Sequence, residues 1–339
     1  MISVRSKIGI LGAGSWGMAL AVHLNSLKHN VTLWEFDKSR CIKLSEKRED
    51  SDFLPGIKIP ERIIITSDLQ KAVENKDFIL FVVPSHIVRD VASKVNNFNL
   101  RGAVIVSCSK GIENNTLMTL SKVLTETLTK VKPDKIAVLS GPSHAEEVSR
   151  RIPTAVVAAS VSESTSKKVQ KLFMNEVFRV YTSSDVKGVE LGASLKNVIA
   201  IAAGICDGVG FGDNTKAALI NRGMVELTRL GTALGADPMT FAGLSGMGDL
   251  IVTCMSKHSR NRYFGEEIGK GRTLEQVSSG MKMIAEGVKT TKSIHDLSIK
   301  LGIDMPISSQ VYSVLFEGKD PKLAVRELMT RNPKKEKWG

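Results

Sequence analysis

Residues 7–17, Lys7-Ile-Gly-Ile-Leu-Gly-Ala-Gly-Ser-Trp-Gly17, constrain the fold more than any other stretch of the chain. Ile8 to Leu11 read as an apolar strand, and Gly12, Gly14 and Gly17 follow it with G-x-G-x-x-G spacing. Such a turn lets backbone N–H groups approach a pyrophosphate, and the helix behind it points its positive end at the same phosphates. The spacing alone is weak evidence, so its context decides. Met18-Ala-Leu-Ala-Val-His-Leu24 reads as that helix, and a second β-like run, Val31-Thr-Leu-Trp34, ends at Glu35. Glu35 lies 18 residues beyond Gly17, where the ribose-binding acid of such a unit is expected. Two plainer readings compete. Arg5 and Lys7 before an apolar stretch suggest a signal peptide, but Gly9, Gly12, Gly14 and Gly17 interrupt it and a polar β-like pattern follows. A glycine-rich turn can also form without a ligand.

A chain of 339 residues is long for one core and suggests two domains. With 42% hydrophobic and 24% charged residues, it has the composition of an ordinary soluble protein. No stretch reads as the roughly 20 continuous apolar residues of a membrane span, so no stable membrane insertion is expected. The formal charge of +12 admits nucleic acid, an anionic membrane surface or acidic small molecules as partners. The basic residues are scattered, apart from the tail Arg331-Asn-Pro-Lys-Lys-Glu-Lys337, which reads as a solvated terminus. Zinc-finger spacing and RNA-binding signatures are absent from the sequence, so phosphorylated metabolites are expected rather than nucleic acid. Cys41, Cys108, Cys206 and Cys254 form no C-x-x-C pair and no metal-like cluster. They read as reduced thiols of a cytoplasmic protein, and no metal site is expected.

Strand-like runs at 7–11, 31–35, 63–66, 78–83, 103–107, 136–139 and 154–159 alternate with helical patterns such as Ser85 to Val95 and Thr116 to Leu128. They run apolar throughout, as strands covered on both faces do. This predicts an α/β Rossmann domain, a doubly wound and mostly parallel sheet, with ligands at the carboxyl ends of its strands. The character changes near residue 184. Helical patterns follow at 186–235, 260–270, 284–301 and 308–329, so the second domain is expected to be all-α. The expected domains are 1–184, binding the dinucleotide, and 185–339, carrying substrate and catalysis.

Three polar clusters stand just after strands: Val83-Pro-Ser-His86, Ser107-Cys-Ser-Lys-Gly111 and Leu139-Ser-Gly-Pro-Ser143. Each alone is a plausible turn. Lys110 is either a surface lysine or a cation facing the cofactor crevice. Lys196 sits in the apolar helical run Leu195-Lys-Asn-Val-Ile-Ala200, where a lysine either snorkels or is desolvated for proton transfer. Asp249, after the turn Gly243-Leu-Ser-Gly-Met-Gly248, is an N-cap or a site residue. The run Ser256-Lys-His-Ser-Arg-Asn-Arg262 is a solvated helix start or an anion site combining Arg260 with Asn261.

In this order and spacing the clusters resemble the bacterial-type NAD(P)-dependent sn-glycerol-3-phosphate dehydrogenase family. The likeness rests on Gly12-Ala-Gly-Ser-Trp-Gly17, Val83-Pro-Ser-His86, Ser109-Lys-Gly111, Ser140-Gly-Pro-Ser143, Leu195-Lys-Asn-Val-Ile-Ala200, Gly246-Met-Gly-Asp249, Ser259-Arg-Asn261 and Ala285-Glu-Gly287. It spans residues 7 to about 330. The resemblance implies interconversion of dihydroxyacetone phosphate and sn-glycerol 3-phosphate, a step toward glycerophospholipids. It implies Lys196 as general acid/base, with Lys110 and Asp249 beside it. Gly141, Ser143, Asn197, Ser259, Arg260 and Asn261 would join these three in the substrate site. Gly12, Gly14, Ser15, Trp16, Gly17, Glu35, Lys110, Ala145, Arg260, Ile284 and Glu286 would contact the cofactor. A homodimer is common in such families and is the expected state. Many relatives carry an arginine after the second strand that meets the 2′-phosphate of NADP. Here the run is Trp34-Glu-Phe-Asp37. Glu35 would accept from a ribose diol and repel a 2′-phosphate, so NAD(H) is expected to be preferred, although Lys38 and Arg40 lie close by. Related two-domain enzymes acting on hydroxyacids or sugar acids, and a cofactor-sensing protein without catalysis, are the alternatives.

Overall fold

The computed structural model describes residues 5–100, 102–114, 116–281, 285–333 and 335–336. The chain divides into two units. One comprises Met1–Lys110 with Thr119–Val186, the other Gly111–Met118 with Lys187–Gly339.

The first unit is built on one sheet of eight strands: β1 Lys7–Leu11, β2 Asn30–Trp34, β3 Ile64–Thr66, β4 Phe78–Phe81, β5 Val104–Ser107, β6 Ile136–Ser140, β7 Thr154–Ala159 and β8 Phe178–Ser183. Their order is β3-β2-β1-β4-β5-β6-β7-β8. The pairings from β3 across to β6 are parallel, β7 is antiparallel to β6, and β8 is parallel to β7. β1, flanked by β2 and β4, is where the order reverses, and the carboxyl ends of β1 and β4 open the crevice typical of such sheets. Ile8, Ile10, Leu33, Leu80, Val106 and Ala137 lie fully or almost fully buried in one core with the helix Ser15–Ser26. This explains the continuous apolar runs. β8 differs from the seven expected strands: it alternates buried and exposed residues at the sheet edge, so it lacks an apolar run.

The second unit is helical. Its longest helix, Val186–Val209, has a mean hydropathy of 1.5 over its most apolar window, enough by length and composition to cross a membrane. That corrects the expectation that no stretch approaches such a length. The same window is fully buried within the structure, as in the core helix of a folded unit. Gly204 and Gly265 let this helix cross the helix Arg260–Gly269 closely. A Cβ on Gly204 would fall 1.9 Å from the Arg262 carbonyl oxygen, and one on Gly265 would fall 2.0 Å from that of Ile201. The run expected at 186–235 to hold long helices consists of two, Val186–Val209 and Asp213–Ala233. That at 308–329 is likewise two, Pro306–Phe316 and Pro321–Met329, the second capped by Asp320.

Candidate active site

In the first unit the chain leaves β1 through Gly12, whose φ of +115° favours glycine. A Cβ at Gly17 would lie 1.8 Å from the Gly12 carbonyl oxygen, so the helix Ser15–Ser26 packs directly on the turn. Gly14 precedes that helix with extended backbone and no side-chain cap, and a Cβ there would meet nothing within 4 Å. The first helical turn carries no acidic residue. The Trp16 indole Nε1 is buried without a hydrogen-bond partner. An open, uncapped and acid-free helix start behind a left-handed glycine fits the pyrophosphate of NAD or NADP.

Glu35 directly follows β2 and is 2% exposed. Its Oε1 accepts from the Asp37 amide at 3.1 Å and its Oε2 accepts from Arg40 Nη1. Burial pushes the carboxyl pKa up, while the Asp37 amide and the Arg40 charge oppose the shift. Arg40 also donates from Nε and Nη2 to Asp50 Oδ2, at 3.1 and 2.8 Å, and from Nη2 to the Ala13 carbonyl at 2.7 Å. Its guanidinium lies 4.1 Å from the centre of the Phe53 ring. Ser15 Oγ donates to the Phe53 carbonyl at 2.6 Å. Arg40 therefore reaches Glu35, and the tie to Asp50 was not legible from spacing.

At the ends of β5 and β6, Lys110 Nζ and Ser143 Oγ both donate to the Gly141 carbonyl, at 3.1 and 2.9 Å. Gly141 adopts a φ of +142°, and a Cβ there would lie 3.0 Å from Val156 Cα. Ala145 opens the short helix Ala145–Ser149 and is buried. Three of the expected residues, Lys110, Gly141 and Ser143, are thus brought together within this unit.

In the second unit Lys196 is 5% exposed. Its Nζ donates to Asp249 Oδ1 at 2.5 Å and to Thr253 Oγ1 at 2.6 Å. The Thr253 hydroxyl in turn donates to the Asp249 carbonyl at 2.5 Å. A buried ammonium without a counter-charge would cost several kcal/mol, so the carboxylate is what keeps the charge tolerable. Asp249 is at the first position of the helix Asp249–Met255, entered through a π-helical turn at Leu244–Gly248. Thr253 was missed by sequence reasoning. Its signal was the i,i+4 spacing from Asp249, which puts both side chains on one helix face.

The neighbouring Asn197 accepts on Oδ1 from Asn261 Nδ2 at 2.9 Å, and Asn261 Oδ1 accepts from the Gly287 amide at 2.9 Å. Ser259 caps the helix Arg260–Gly269, its hydroxyl accepting from the Arg262 amide at 3.2 Å. Arg260, the first residue of that helix, is exposed. Glu286 opens the helix Glu286–Leu301 and is half-buried. Ile284 lies outside the described residues. The four cysteines are buried and free, and burial pushes Cys206 up to about 11 and Cys254 up to about 12. No group of three or more potential metal ligands occurs among the described residues.

Models of NAD-dependent glycerol-3-phosphate dehydrogenase match both parts of the chain, the N-terminal model at residues 7–166 and the C-terminal model at residues 185–326. A glycerol-3-phosphate dehydrogenase [NAD(P)+] of Chlorobium phaeobacteroides is 52% identical over 97% of this chain and 99% of its own length. One from a Thermoanaerobacter strain is 52% identical over 98% of this chain and 99% of its own. The crystal structure of glycerol-3-phosphate dehydrogenase from Coxiella burnetii superposes with a TM-score of 0.92 at 37% identity, covering 96% of this chain and 99% of that one. A ketopantoate reductase from Ralstonia eutropha shares the fold alone, with a TM-score of 0.60 at 16% identity over 95% of this chain and 99% of its own. These likenesses define the class: a two-unit dehydrogenase that uses a nicotinamide dinucleotide. Within that class, the chain belongs to the NAD-dependent glycerol-3-phosphate dehydrogenase family.

Proposed function

We propose that the chain transfers hydride between NAD(P)H and dihydroxyacetone phosphate, giving sn-glycerol 3-phosphate, with Lys196 as the general acid/base. The observation that carries this reading is the buried ammonium of Lys196, hydrogen-bonded to Asp249 and Thr253. When bound, the nicotinamide supplies the hydride. As the carbonyl carbon is reduced, negative charge grows on its oxygen, and a fixed ammonium both stabilises that charge and donates the proton. In the reverse direction the neutral amine takes the proton from the alcohol. Asp249 and Thr253 orient Nζ and set its charge balance.

Arg260, Ser259 and Asn261, at the start of one helix, suit the phosphate of the substrate, and Asn197 holds Asn261 in place. Holding the phosphate fixes the carbonyl for reaction. Lys110, Gly141 and Ser143 are assigned to substrate, Lys110 also to the cofactor. Gly12, Gly14, Ser15, Trp16, Gly17, Glu35, Ala145, Arg260, Ile284 and Glu286 are assigned to the cofactor. NAD(H) is the preferred form. Synthesis of the glycerophospholipid backbone, a cytoplasmic location and a homodimer complete the reading.

The test is Lys196→Met. Turnover of dihydroxyacetone phosphate should fall by at least about a thousandfold, in line with loss of a proton donor and an oxyanion stabiliser. NADH binding by calorimetry should stay within twofold. A variant turning over near the wild-type rate would remove Lys196 from the reaction.

A further inference from the structure

Arg40 is tied at nearly every donor. Nε and Nη2 face Asp50 Oδ2, Nη2 also meets the Ala13 carbonyl, Nη1 meets Glu35, and one face lies on Phe53. The Arg40 side chain keeps 24% exposure, against 3% for Glu35 and 14% for Asp50. A ligand group arriving at the end of β2 therefore meets a guanidinium lying over the carboxylate. The edge best shaped to grip an oxyanion, Nε with Nη2, is occupied by Asp50. Two carboxylates around one guanidinium leave a formal charge of −1, which repels a phosphate dianion.

We propose that Asp50, acting through Arg40, is the positioning residue that makes the site reject a 2′-phosphate. Glu35 alone does not do so, because Arg40 offsets its charge. This rests on the reading of the glycine turn as a dinucleotide site and locates cofactor choice in a residue 15 positions beyond Glu35. Without the Asp50 charge, the Glu35–Arg40 pair is left neutral and the Nε/Nη2 edge turns to an incoming phosphate.

Asp50→Asn isolates this role. Its Oδ1 can still accept from the Asp52 and Phe53 amides, which Asp50 Oδ1 now serves at 3.0 and 3.1 Å. Only the oxygen facing Arg40 becomes an amide nitrogen. The probes are adenosine 2′,5′-bisphosphate and adenosine 5′-monophosphate, titrated calorimetrically, so that neither hydride transfer nor a triose phosphate enters the readout. Relative to wild type, Asp50→Asn should bind the bisphosphate at least tenfold tighter and the monophosphate within threefold. Adding Arg40→Met to Asp50→Asn should cancel the gain. A purely structural role would weaken both probes together and leave their ratio unchanged. A ratio within twofold of wild type, or a gain that survives Arg40→Met, overturns the proposal. If Asp50→Asn does not fold cooperatively, Asp50→Ser, whose hydroxyl can still cap those amides, takes the same test. Failure of the wild type to bind either probe would overturn the dinucleotide reading and the proposal with it. Probe selectivity that shifts as expected in a protein unable to reduce dihydroxyacetone phosphate would sink only the substrate assignment.

Discussion

Thr253 separates what one side chain does from what its neighbours do. Lys196 was legible as a lysine in an apolar helix, but that pattern fits a snorkelling surface residue equally well. What decides is the helix Asp249–Met255, more than 50 positions along the chain, and no local pattern reports a tertiary partner. Thr253→Val keeps the shape and removes the hydroxyl that accepts from Nζ. A hydrogen bond to a buried charge is worth about 1.5–3 kcal/mol, so single-turnover reduction should slow by roughly 10- to 100-fold with NADH binding unchanged. Gly14→Ala tests the other residue-level claim. The added methyl meets no protein atom within 4 Å, so the melting temperature should stay within about 2 °C of wild type, as for an uncrowded surface substitution. Because the pyrophosphate needs that space, dinucleotide affinity measured by calorimetry should fall by at least about tenfold, roughly 1.4 kcal/mol. Equal affinity in a folded Gly14→Ala would contradict the cradle.

Elements were legible where a pattern repeated over a full turn or strand. The apolar runs of β1, β4 and β5 and the long helical patterns of the second unit reported themselves. β8 did not, because an edge strand alternates, and the break between Val209 and Asp213 falls at Gly210 and Gly212, a breaker signal inside the longer helical pattern. One contact between elements carries a pH dependence. Glu226, on the helix Asp213–Ala233, accepts from the Ile307 and Ser308 amides at 2.6 and 3.1 Å and from Ser308 Oγ at 3.0 Å, at the start of the helix Pro306–Phe316. Burial pushes its pKa up to about 7 despite these donors. The folded form then holds a proton that the unfolded chain releases near pH 4.5. Its stabilising contribution is complete below that value and is lost as pH rises through about 7, a change on the order of 3 kcal/mol. Urea unfolding at intervals from pH 4.5 to 8 should show this fall in wild type. Glu226→Gln should flatten that component of the slope, even if it lowers stability throughout. An equal slope in both proteins would show that Glu226 titrates alike folded and unfolded.

At the scale of the whole molecule, the formal charge of +12 fixes no fold but does shape encounters with ligands. The dinucleotide and the triose phosphate are both anions, so the net field favours their approach. The field should act on association and leave the buried hydride and proton steps alone, since Lys196 and Asp249 are screened from solvent at 5% and 1% exposure. Screening lengths contract from about 30 Å at 0.01 M salt to about 8 Å at 0.15 M. Between those conditions kcat/KM for dihydroxyacetone phosphate should fall several-fold while kcat stays within about twofold, the pattern of weakened encounter with unchanged chemistry. Initial rates of NADH oxidation across a sodium chloride series provide the measurement. A kcat that falls in step with kcat/KM would place the salt-sensitive charges at the reacting centre, and a flat kcat/KM would mean that the basic residues are too dispersed to steer these ligands.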